Sequence, residues 1–157
     1  MQKITPCLWF DNNGEEAMNF YISVFPNSRI VSASRHGNAG PGPKGSLLVG
    51  IFELQGREFM ILNGGPAHKL TEAASLMATC ENQQQVDELW TRLSEGGEEG
   101  RCGWLKDRFG LSWQIVPSIL GKLMSDPDPA RSGRVMNALL QMRKLDIAVL
   151  QQAYAGE

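Results

Sequence analysis

In "DRFGLSWQIVP", residues 107–117, a charged turn and a glycine lead into a short apolar run that carries one long amide, Gln114. A neutral amide is a poor ligand for a divalent transition ion, which favours imidazole, thiolate or carboxylate. It both donates and accepts hydrogen bonds, so it suits a polar small molecule. It suits a backbone or side-chain neighbour equally well, and the residues alone leave both readings open. Other reactive types are sparse. His36 and His68, the two histidines, stand 32 residues apart in loop-like sequence with no metal-ligand spacing, and read as surface residues. Cys7, Cys80 and Cys102 form no CxxC, which argues against a zinc knuckle or a redox pair and for buried thiols in a reducing compartment. No G-x-S-x-G marks a nucleophile. "AGPGPKGS" lacks the order G-x-x-x-x-G-K-[ST] and runs into a strand, so it reads as a hairpin or lid loop, with Arg35 and Lys44 as solvated charges.

The elements that must position these groups follow from periodicity. "ITPCLWF" reads as a strand with Pro6 near its start. In "NNGEEAMNFYISVF", Ala17, Phe20, Tyr21 and Val24 recur at helical spacing. "SRIVSASR" is a strand, and "SLLVGIFELQG" with "REFMILN" predicts a hairpin turning at Gln55-Gly56. After "NGGP" the pattern restarts. "SLMATC" is a strand, and the next helix carries Val86, Leu89, Trp90 and Leu93 on one face. These four lie 69 residues beyond the four of the first helix, in the same phase. The strands "EEGRCGWLKD" and "LSWQIVP" follow, so the pattern argues for two copies of one β-α-β-β-β unit. "SILGKLM", "DPDPARSGRVMNALLQMRK" and "LDIAVLQQAYAGE" then predict a helical appendix, whose apolar faces must pack on the sheets or on a second chain.

The totals bound the function. A chain of 157 residues with 42% hydrophobic and 20% charged residues can bury a core. A net charge of −2 without long runs gives no basic stripe for nucleic acid. No apolar run approaches the ~20 residues that span a bilayer. "MQKITPCLWF" lacks the layout of a signal peptide and reads as a mature, cytoplasmic start.

"CLWFDNNGEEAMNFYISVFPNSRI", "ILNGGP", "CGWLKDRFGLSWQIVP" and "RVMNALLQMRKLDIAVLQQAY" together resemble the PhnB-like branch of the vicinal oxygen chelate superfamily. That superfamily includes glyoxalase I, extradiol dioxygenases and the bleomycin and fosfomycin resistance proteins. Some members of the branch carry the label 3-demethylubiquinone-9 3-methyltransferase. The resemblance implies an α+β fold: two βαβββ modules, residues 1–66 and 67–117, forming a cup-shaped, mainly antiparallel sheet. A C-terminal helical extension, 118–157, completes it, and a homodimer is the common assembly.

Members that do metal chemistry place ligands, typically His, Glu, His and Glu, on the first and last strand of each module. Here those places fall on or near Thr5, on Ile61 or Asn63, on Ser75 and on Gln114. Neither histidine nor carboxylate occurs in "ITPCLWF", "FMILN", "SLMATC" or "LSWQIVP". A methyltransferase with a doubly wound sheet would place a glycine-rich loop after its first strand, and "DNNGEEA" is not one. The expectation is therefore a small-molecule ligand held in the cup without metal or cofactor. Trp9, Asn63, Ser75, Met77, Trp104 and Gln114 would line it, with Cys7 beside them, while Trp90 and Trp113 fill the core. Partners would be a second copy of the chain, not nucleic acid or membrane. Two other classes stand beside this one: a metal-dependent lyase, isomerase or dioxygenase-like enzyme, and a dimeric interaction protein whose cup is filled by its own side chains.

Overall fold

The computed structural model describes residues 2–157. The chain divides into two compact units, Met1–Leu70 and Thr71–Glu157.

The first unit runs β1 (Cys7–Phe10), α1 (Gly14–Val24), β2 (Arg29–Arg35), β3 (Leu47–Leu54) and β4 (Arg57–Asn63). They form one sheet in the order β1-β4-β3-β2, with β1 parallel to β4 and the other pairs antiparallel. The hairpin turn falls at the predicted place. Gln55 and Gly56 both have positive φ, 50° and 78°, as a two-residue type I′ turn requires. That turn closes Leu54 onto Arg57 and fixes the parity of β4. Phe59 and Ile61 then point to the side covered by α1, where Phe52 stacks on Phe59 and Ala17, Met18, Tyr21 and Val24 are buried. The other face of the sheet carries Trp9, Val49, Ile51, Met60 and Leu62, all partly exposed.

The second unit repeats this order with β5 (Ser75–Cys80), α2 (Gln83–Ser94), β6 (Glu98–Glu99), β7 (Trp104–Lys106) and β8 (Ser112–Pro117). Its sheet runs β5-β8-β7-β6, again with the first strand parallel to the last. The repeat expected from the matching helices is thus a repeat of topology. α2 starts at a reciprocal cap. Asn82 Oδ1 accepts from the Gln85 N–H, and Gln85 Oε1 accepts from the Glu81 N–H. Val86, Trp90 and Leu93 are buried on its inner face. One expected strand differs: "EEGRCGWLKD" is two short strands around a tight turn. Cys102 (φ 56°) and Gly103 (φ 83°) adopt left-handed conformations there, and the Gly100 N–H donates to the Trp104 carbonyl.

Three helices follow, α3 (Ile119–Met124), α4 (Pro129–Leu140) and α5 (Ile147–Ala155). Asp128 caps α4, with Pro129 at its first position, and Asp146 caps α5. Their apolar faces meet one another around Leu123, Val135 and Leu150. The segment between α4 and α5 ties them to the second sheet. The Cys102 and Gly103 N–H groups donate to the Met142 and Arg143 carbonyls, and Leu145 is fully buried. Gln83 donates to the Leu145 carbonyl and accepts from the Ile147 N–H. Among the described residues, no helix is long and apolar enough to cross a membrane.

Candidate functional site

The geometry of the second sheet starts from Asp107. Its carboxylate is buried and receives three N–H groups: Phe109 and Leu111 from the backbone, at 2.9 and 3.0 Å, and Trp113 Nε1 at 2.9 Å. The side chain therefore builds the turn before β8 and pins the indole of Trp113 to the buried side. Because side chains alternate along a strand, Trp113, Ile115 and Pro117 are buried while Ser112, Gln114 and Val116 take the opposite face. Gln114 faces outward because Asp107 and Trp113 fix the phase.

On that open face, register lines up three of the expected residues. Met77, Gln114 and Trp104 are direct partners across β5, β8 and β7. Ser75 pairs with Ser112 one step along. Gln114 Nε2 donates to Ser75 Oγ at 2.9 Å. Met77 is 62% exposed, so an apolar thioether stands uncovered beside the amide. Towards the β6 edge the same face sinks into a small hollow of about 120 Å³ lined by Glu72, Glu98, Gly100, Trp104, Lys106 and Ser112 among others. Ser112 is 1% exposed, and its hydroxyl has no hydrogen-bond partner among the described residues. Lys106 Nζ lies 2.6 Å from Glu72 and 3.8 Å from Glu98. The hydrogen bond from Lys106 holds the Glu72 carboxyl below the usual range, and Glu72 in turn raises the Lys106 ammonium.

The remaining expected residues belong to the first unit, on opposite faces of its sheet. Trp9 lies on the open face. Its Nε1–H donates to the Gly65 carbonyl at 2.9 Å and its ring meets His68 edge-on. Gly64 must be glycine, since a Cβ there would stand 2.3 Å from the Trp9 ring. Asn63 lies on the α1 side with Ile61. Its Oδ1 accepts from the Gly14 N–H at the start of α1, and its Nδ2 donates to the Asn12 and Leu47 carbonyls. Asn63 thus clamps a helix start to two strands. Cys7 is exposed, and partial burial of its thiol raises the pKa. Cys80 is buried, which pushes its thiol up to about 11.

The four positions that the family resemblance offers for a metal do not fit a divalent transition ion here. Gln114 and Ser75 are neutral and bonded to each other, the polar groups of Asn63 are spent on backbone, and Thr5 Oγ1 donates to Glu58. Glu58 is a carboxylate on the open face of the first sheet that the expected ligand positions passed over. Lys3 engages it at 2.7 Å, and that contact lowers its pKa. Among the described residues, no three of histidine, cysteine, aspartate and glutamate stand close enough to share an ion.

Ser112, Lys106, Glu72 and Glu98 were not among the expected site residues. Ser112 was within reach of sequence reasoning, because it lies two residues before Gln114 on one strand and so shares its face. Glu72 and Glu98 were not, because one stands in a loop and the other on a two-residue strand.

The model of the 3-demethylubiquinone-9 3-methyltransferase family matches residues 2–116, which leaves α3, α4 and α5 outside the match. A PhnB protein from Bacillus cereus is 39% identical, with a TM-score of 0.69 over 74% of this chain and 100% of its own. A protein from Pseudomonas aeruginosa shares the fold at 18% identity, with a TM-score of 0.63 over 74% of this chain and 98% of its own. The fosfomycin resistance protein FosX from Mesorhizobium loti shares it at 14% identity, with a TM-score of 0.54 over 80% and 98%. No functionally curated protein matches the chain. By sequence match and by the repeated βαβββ topology, this chain belongs to the 3-demethylubiquinone-9 3-methyltransferase family, a PhnB-like group with the vicinal oxygen chelate fold.

Proposed function

We propose that the protein binds a small polar molecule on the open face of its second sheet, over the row Met77, Gln114 and Trp104, without a divalent metal. One observation carries the reading: the Ser112 hydroxyl is buried, and unpartnered among the described residues, two residues from Gln114 on the same face. A buried polar group left without a partner costs about 1–3 kcal/mol, and such a cost is offset when a ligand supplies the partner. Support comes also from Gln114, whose Nε2 is held by Ser75 while its Oε1 accepts from no described residue. An acceptor fixed in place beside an aromatic ring and a thioether is the mixture that small-molecule sites use. Trp9 on the first sheet is a further candidate for ligand contact, and Asn63 acts there as a fold clamp.

With this reading go the homodimer that the family resemblance implies and a reducing, cytoplasmic setting. The latter is supported by three free thiols, Cys7, Cys80 and Cys102.

The test is mass spectrometry of small molecules released from protein purified under native conditions. The expected result is an organic compound retained by the wild type and lost from Gln114→Leu. Equal recovery from both proteins, or recovery of nothing, overturns the reading.

A further inference from the structure

We propose that the hollow at the β6–β7 edge takes a primary alkylammonium group, so that the ligand is an amine. The inference rests on the ligand-binding reading above and names the chemistry of one end of that ligand.

The size of the hollow sets the first limit. About 120 Å³ is well below the roughly 300–1,000 Å³ of a site that encloses a whole small molecule. It holds one head group, with the rest of the ligand lying along the sheet towards Gln114.

Charge sets the second. Glu72 and Glu98 face a single ammonium, Lys106, which is already bound to Glu72 at 2.6 Å. Glu99 also borders the hollow, but its carboxylate accepts from Trp90 Nε1 on the α2 side and adds no charge to it. An incoming anion would find its one counter-charge taken and carboxylates beside it. A cation finds Glu98, whose contact with Lys106 is long, 3.8 Å.

Hydrogen bonding sets the third. Ser112 lines the hollow, and its Oγ is buried without a partner among the described residues. A primary ammonium has three donors and no acceptor, so it can give one hydrogen to Ser112 and another to Glu98. Trp104 is the aromatic residue of the lining, and an indole favours a cation over its face. Gly100, also in the lining, is fixed by the turn: a Cβ there would stand 2.7 Å from the Trp104 carbonyl oxygen.

The experiment uses full-length protein carrying 5-fluorotryptophan, with Trp104→Phe identifying the Trp104 fluorine signal. Butylammonium, butanol and butyrate are titrated separately at constant ionic strength. The expected result is a saturable shift of the Trp104 signal with butylammonium alone. Ser112→Ala should weaken that binding about tenfold, the scale of a lost hydrogen bond to a charged group. Glu98→Gln should weaken it about threefold, less because Glu98 is largely exposed. Thermal denaturation of Ser112→Ala shows whether the variant folds, and removal of an unpaired buried hydroxyl should leave the midpoint unchanged or higher. If butyrate or butanol binds as well as butylammonium, the amine assignment falls and the ligand-binding reading stands. If Ser112→Ala folds and binds butylammonium like the wild type, the proposed head-group position falls. If no probe moves Trp104 while a compound still co-purifies, the hollow holds only water and this inference alone fails. If nothing co-purifies either, both readings fail.

Discussion

Gln114 and Ser75 are joined side chain to side chain, amide to hydroxyl, at 2.9 Å from β8 to β5. The bond answers what a long amide does inside an apolar strand. One end of the amide is anchored to the neighbouring strand, and the other is left as a fixed acceptor on the open face. The pair stands at two of the positions that the family resemblance offers for metal ligands, and it is neutral at both.

Replacing Gln114 by leucine removes one hydrogen bond at a half-buried site and adds apolar contact with Met77. Net hydrogen bonds contribute about 1 kcal/mol, so stability should change by no more than about that amount in a denaturant melt. Retention of the co-purifying compound should be lost. A loss of both stability and ligand would make Gln114 a fold residue instead.

Asn63 should behave in the opposite way. Alanine there breaks three hydrogen bonds that hold Gly14, Asn12 and Leu47. At about 0.5–1.5 kcal/mol each, the cost should be about 2–4 kcal/mol, read as a lower denaturant midpoint. Glutamine, with the same groups on a longer arm, should not rescue it.

Asp107→Ala removes the acceptor shared by the Phe109 and Leu111 N–H groups and the Trp113 indole N–H, and the last two of these bonds are buried. Loss of a buried acceptor costs about 1–3 kcal/mol for each bond it made, so the variant should be among the most destabilised of single changes. Its tryptophan fluorescence should shift to the red as Trp113 becomes wetted.

The Cys80 thiol, raised to about 11 by burial and by the nearby Glu81 charge, is neutral at pH 8. The thiolate is the reactive form. Native protein treated with iodoacetamide at pH 8 should therefore leave Cys80 unmodified by peptide mapping, while denatured protein is alkylated there. Modification of Cys80 in the folded protein at the rate of a free thiol would contradict its burial.

Gly103→Ala should loosen the C-terminal helices. The residue has φ 83°, and a Cβ would stand 2.8 Å from the Ile115 carbonyl oxygen and 3.1 Å from Leu145. The strap that carries Leu145 is then pushed off its seat. Hydrogen exchange should speed up in α4 and α5 and stay unchanged in β3 and β4.

The repeated module was legible because its signals are local. Helical spacing marks α1 and α2, and Gln55-Gly56 between two apolar runs specifies a hairpin. The faces of the strands were legible in part. Around Gln114 the alternation of buried Trp113 and Ile115 with a polar residue reads correctly. In β4, "FMILN" is apolar at every position before Asn63, so alternation gives no phase, and the phase comes from the turn at Gln55-Gly56 and from the packing of α1. The family resemblance offers Ile61 or Asn63 as a ligand position by motif, and the structure turns both to the α1 side, with Glu58 on the open face. The split of "EEGRCGWLKD" depends on a carbonyl contact between Gly100 and Trp104 and on the docking of residues 142–143, a long-range contact that no local pattern carries.

The most direct measurement is native mass spectrometry of the chain purified without chelator, before and after dialysis against EDTA. The expected spectrum shows a mass surplus per chain that belongs to an organic molecule and survives EDTA. A surplus equal to one divalent ion per chain, removed by EDTA, would contradict the assignment of a metal-free site.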